Sequence, residues 1–60
     1  MSEKVKELEV ISRGKQHKFV VGDGIDSIFE YNGENKIFIV HYATTDKMVI
    51  FKNPFVINKK

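Results

Sequence analysis

The chain has 60 residues, a formal net charge of +2, no Cys, no Trp and one Pro. It carries seven Val, seven Ile, five Phe and two Tyr, against one Leu and one Ala. Disulfides and thiolate zinc sites are excluded, and so is a disordered polar segment, because β-branched and aromatic residues are too plentiful.

Branching at Cβ suits a pleated strand better than a helix, and turn signals recur about every ten residues. The first predicted strand is Lys6 to Ser12, with Leu8 and Val10 on one face and Glu7 and Glu9 on the other. Arg13-Gly14-Lys15 reads as a hairpin tip leading into a second strand from Gln16 to Val21. Gly22-Asp23-Gly24 reads as a tight turn. A phosphate loop needs a helix to follow it, and Ile25 to Tyr31 reads as a third strand. In that strand, alternation groups Ile25, Phe29 and Tyr31 against Asp26, Ile28 and Glu30.

Asn32-Gly33 predicts a tight hairpin with positive φ. The fourth strand, Lys36 to Tyr42, is apolar on both faces, with Ile37 and Ile39 against Phe38, Val40 and Tyr42. It is expected to be central or to contribute to an interface. A fifth strand runs from Lys47 to Lys52. Asn53-Pro54 breaks the ladder, Phe55-Val56-Ile57 adds a short sixth strand, and Lys59-Lys60 is expected to be a solvated tail.

The expected fold is therefore all-β, one domain over residues 1–60: a small antiparallel meander of five to six short strands, forming a curved sheet or a small barrel. The stretch from Gly24 to Ile57 resembles the SH3-like small barrels in its Gly24-Ile25-x-x-Ile28 spacing, followed by an apolar strand, a polar turn and a second apolar strand. That resemblance implies a sheet that curls toward closure, which removes exposed edges.

No catalytic constellation is visible. His17 and His41 lack metal-ligand spacing, and no serine sits in a Gly-x-Ser-x-Gly turn. Neither an enzyme nor a cofactor, metal or small-molecule substrate is expected, since a chain this small rarely encloses a ligand-sized pocket. The surplus of apolar side chains points instead to a protein partner or a homodimer, contacted through Phe38, Tyr42, Phe51 and Phe55. The alternative is nucleic-acid binding by the basic 13–18 hairpin, through Arg13, Lys15, Lys18 and Lys36. Nine of the ten basic residues are Lys, which argues against bidentate phosphate or guanine recognition. The longest apolar runs, at 37–40 and 48–51, are too short to span a bilayer, and the N-terminus has no apolar signal core. A cytoplasmic protein is expected. The abundance of residues with AT-rich codons points to a low-GC bacterial or phage genome.

Overall fold

A computed structural model describes residues 2–60. Seven strands form in chain order: β1 (Ser2–Val5), β2 (Glu7–Ser12), β3 (Lys15–Val20), β4 (Ile25–Asn32), β5 (Lys36–Tyr42), β6 (Met48–Lys52) and β7 (Phe55–Lys59). They pair antiparallel into two sheets, one of four strands in the order β1-β4-β5-β6 and one of three in the order β3-β2-β7. The result is a curved meander in two layers rather than a closed barrel. No helix among the described residues is long and apolar enough to cross a membrane.

The two sheets share one core. Val5, Ile25, Ile28, Phe38, Val40 and Phe51 from the four-stranded sheet meet Leu8 and Val10 from the three-stranded sheet. The expected alternation in β2 holds: Leu8 and Val10 are buried, and Glu7 and Glu9 are not. β5 is central, as its two apolar faces suggest, lying between β4 and β6.

Strict alternation fails at three kinks. Lys6 interrupts the run from β1 to β2 and lets the chain pass from one sheet to the other, so that Val5 and Leu8 both point inward. Asp26 is an extra residue in β4, because Ile25 pairs with Tyr42 and Ser27 pairs with His41. This bulge turns Ile25 onto the buried face of Ile28 and Glu30, opposite to the expected grouping with Phe29 and Tyr31. Ile57 is the extra residue in β7, where Asn58 pairs with Glu9 and Val56 pairs with Val10.

The turns also redistribute. The tight two-residue hairpin is Arg13-Gly14, with φ of 54° and 76°, the type I′ pattern that matches strand twist. Asn32-Gly33 does not take the expected positive-φ form. Asn32 closes a three-residue loop against Lys36, and the Gly33 amide donates to the Asn35 carbonyl. In the Gly22-Asp23-Gly24 turn, Gly22 has φ 100° and Gly24 has φ 78°. Its Gly22 and Asp23 amides donate to the carbonyls of Ile25 and Val20, so they are spent within the turn.

Asn53 is the left-handed residue before Pro54, with φ 49°. Its side-chain oxygen accepts from the Lys36 amide, its side-chain nitrogen donates to Asn35, and its own amide donates to the Lys36 carbonyl. Asn53 thus ties the β6–β7 turn to the start of β5. Asn53→Ala removes both side-chain bonds and strains the backbone, and should cost about 2 kcal/mol in thermal unfolding followed by far-UV circular dichroism.

The C-terminus is not a free tail. The Lys60 amide and carbonyl both bond to Glu7, and the Lys60 Nζ lies 3.7 Å from the Glu7 carboxylate. Lys59 points inward, where its Nζ donates to Glu30 Oε1 at 2.7 Å. Glu30 is the one buried charged side chain among the described residues, and Lys36 Nζ stands 3.7 Å from its other oxygen. This clamp joins β4 of one sheet to β7 of the other. The Glu30 hydrogen bond holds Lys59 above the ordinary lysine range, against partial desolvation and with help from the charges of Glu30 and Glu3. A raised lysine stabilises fully below the ordinary lysine range, and the gain is lost as pH rises through the raised value. Lys59→Met should cost about 1 kcal/mol at neutral pH, since solvent screens the exposed lysine and Lys36 still stands 3.7 Å from the buried carboxylate. In urea titrations, the alkaline fall in stability should be shallower in the variant than in the parent protein.

Candidate protein-binding face

The outer surfaces of the two sheets differ in kind. The three-stranded sheet presents mixed rows, in which Glu7, Glu9, Gln16, Lys18 and Lys60 are interleaved with Val20, Ile11 and Phe55. Gln16 hydrogen-bonds Glu9, Lys18 stands opposite Glu9 in the strand register, and the Lys60 Nζ lies 3.7 Å from the Glu7 carboxylate. The four-stranded sheet presents an apolar surface. The register β1-β4-β5-β6 places Lys4, Phe29, Ile39 and Ile50 in one row. Ser2, Tyr31, Ile37 and Lys52 form the next row, and Ser27, His41 and Met48 a third.

Tyr31, Met48 and Ile50 on this face are 41%, 50% and 55% exposed. Phe29, Ile37, Ile39 and His41 are half-buried, each shielded by its neighbours. Phe29 and His41 meet edge to face at 6.2 Å. Cross-strand contacts of this kind hold the surface in a defined shape. Lys4 and Lys52 stand at opposite strands of the face, and no carboxylate belongs to its rows.

The aromatic residues singled out by composition do not form one site. Phe38 and Phe51 face each other across β5 and β6 inside the core, where Phe38 has no exposed surface. Tyr42 is half-buried against the same core. Phe55 is 69% exposed but sits on the opposite surface, beside Ile11 of the three-stranded sheet. The Phe38/Val40/Tyr42 stripe, from which two of the candidate contact residues come, is therefore the inward one, and Ile37/Ile39 faces out. A strand apolar on both faces carries no internal sign of which face is inward. The available signal lay across the hairpin: Phe29 and Tyr31 must share a surface with Ile39 and Ile37 once Asn32 pairs with Lys36.

The basic residues are also divided. Arg13, Lys15 and His17 line an open groove together with Ile50, Phe51 and Lys52. Lys18 points to the outer side of the three-stranded sheet, and Lys36 is engaged by Glu30. His17 packs its ring against Phe19 and Phe51, at centroid distances of 6.2 Å and 5.3 Å. Among the described residues, no three His, Asp or Glu side chains come together as metal ligands.

No protein-family model, curated protein or solved structure matches this chain.

Truncation separates the two apolar surfaces. Phe38→Ala should cost about 3–5 kcal/mol, close to the whole stability of a chain this short, and should leave the protein largely unfolded at 37 °C. Ile50→Ser, on the exposed face, should change stability by less than about 1 kcal/mol in the same urea titration.

Proposed function

We propose that this protein is a non-enzymatic interaction module that binds a protein partner through the outer face of its four-stranded sheet. The observation that carries the reading is the apolar surface formed by Phe29, Tyr31, Ile37, Ile39, Met48 and Ile50. The core is complete without it. Contiguous apolar surface rimmed by polar groups is characteristic of interaction sites. Its aliphatic share favours a protein over a nucleic acid, whose bases stack on aromatic rings.

Nucleic-acid binding through Arg13, Lys15, Lys18 and Lys36 draws less support, because these side chains do not share one surface. A catalytic role draws none from His17 or His41, each of which is packed against aromatic neighbours. A chain without Cys suits a reducing compartment, and we assign the module to the cytoplasm.

Site-specific photocrosslinking in expressing cells tests the reading. A photoreactive residue at Ile39 should give a discrete adduct that Ile50→Glu removes, while the same probe at Gln16 gives none. Equal adducts from both surfaces, or none from Ile39, would overturn the assignment. Titration with oligonucleotides at low salt checks the other class, and binding weaker than millimolar is expected.

A further inference from the structure

The face proposed above ends at β6, the last strand of its sheet. The Tyr42 amide donates to the Lys47 carbonyl and the Asn53 amide to the Lys36 carbonyl. With Val40 opposite Val49 and Phe38 opposite Phe51, this parity directs the backbone groups of Val49 and Phe51 to β5. The N–H and C=O groups of Met48, Ile50 and Lys52 therefore point away from β5, along the free edge.

Edge strands are ordinarily blunted by charge or by proline. β3, the facing edge of the other sheet, carries Lys15 and Lys18. β6 carries Lys52 at its C-terminal end, but the rest of the strand is apolar and presents two exposed side chains, Met48 and Ile50. Between the two edges runs the groove lined by Arg13, Lys15, His17 and Lys52. Among the described residues, none of Arg13, Lys15 and Lys52 has a carboxylate within 4.0 Å. An unpaired edge thus runs beside a cluster of unpaired cations.

We propose that β6 accepts an added strand from a partner, and that the segment alternates apolar and acidic side chains. This rests on the protein-binding reading and names the chemistry of the partner. Side chains of an added strand alternate between the two sides of the sheet. Those on the outer side extend the apolar row of Ile50, Ile39 and Phe29. Those on the inner side enter the groove, where carboxylates meet Arg13, Lys15 and His17. Main-chain pairing supplies affinity and the alternate side chains supply selectivity. A second copy is a poorer occupant. Pairing β6 with its twin sets two such cation clusters along one seam, with no carboxylate between them. A nucleic acid satisfies the cations but not the strand edge.

The test uses the full chain and three probes: a blocked peptide alternating glutamate and valine, its lysine–valine counterpart, and oligothymidylate. Amide hydrogen exchange is read by NMR. Millimolar glutamate–valine peptide should slow exchange at Ile50 and Lys52 and leave Val49 and Phe51, already bonded to β5, unchanged. Lys15→Glu with Lys52→Glu should weaken that peptide about tenfold and favour the lysine–valine peptide. Both sites are exposed, so the fold should survive, as circular dichroism will show. Three outcomes overturn the proposal: no added protection at Ile50 and Lys52, protection that rises with protein concentration alone, or protection by oligothymidylate in place of the peptide. If the edge amides stay unprotected while the Ile39 crosslink still forms, the face reading stands and the strand-addition proposal falls. If the crosslink fails as well, both fall.

Discussion

Two stacked sheets enclose a single interior, and this chain carries more apolar side chains than one interior takes. That constraint governs the structure. The space between the sheets is filled by eight side chains centred on Phe38, Val40 and Leu8. Burial of each contributes roughly 1.5–3 kcal/mol, enough in sum to oppose the chain entropy of a short domain but leaving little margin. The central strand β5 is apolar on both faces, so one of them must look outward. The same holds for Phe29 and Tyr31 beside it. The exposed face is thus a consequence of the layer count and of sequence choices that a minimal core did not require.

Which face points inward is decided by irregularities more than by hydrophobicity. The kink at Lys6 carries the first strand from one sheet into the other, and the bulge at Asp26 turns Ile25 toward Ile28. The bulge at Ile57 brings Val56 and Lys59 to the same side. Lys59 then reaches Glu30, whose burial is tolerable only because the carboxylate is paired. Each irregularity sits where the two layers are joined. The polar clamp at one end and the apolar centre together select one register, since a slip of one residue would bury Phe29 and expose Phe38.

Much of this was legible in the residues. β-branched composition and turn spacing specify an all-β meander, and the boundaries of β5 and the break at Asn53-Pro54 follow directly. The alternation of Leu8 and Val10 against Glu7 and Glu9 needs no structure to read. The N-terminal strand β1 was hidden, because Ser2–Val5 has a single apolar residue and gains its pairing from β4. The C-terminal lysines looked solvated, because an inward Lys59 makes sense only when its distant partner Glu30 is known. The site was least legible. Aromatic residues were the natural candidates for contact, yet Phe38 and Phe51 are the ones a core takes first, while the smaller Ile37, Ile39 and Ile50 remain outside. Arg13 and Lys15 were identified as neighbours, but their juxtaposition with Lys52 depends on how the sheet curls.

The resulting picture is a small scaffold with one mixed surface that carries carboxylates, one apolar surface free of them, and an unpaired edge beside a basic groove. Its central claim is that Ile37, Ile39, Met48 and Ile50 face solvent while Val10, Ile28 and Val40 do not. Methyl NMR in the presence of a soluble gadolinium chelate measures this most directly. Strong paramagnetic broadening of the first group and retained signals from the second are expected. Broadening of Val40 and Ile28 with protection of Ile39 and Ile50 would mean that the sheet packs by its other face, and would contradict that claim.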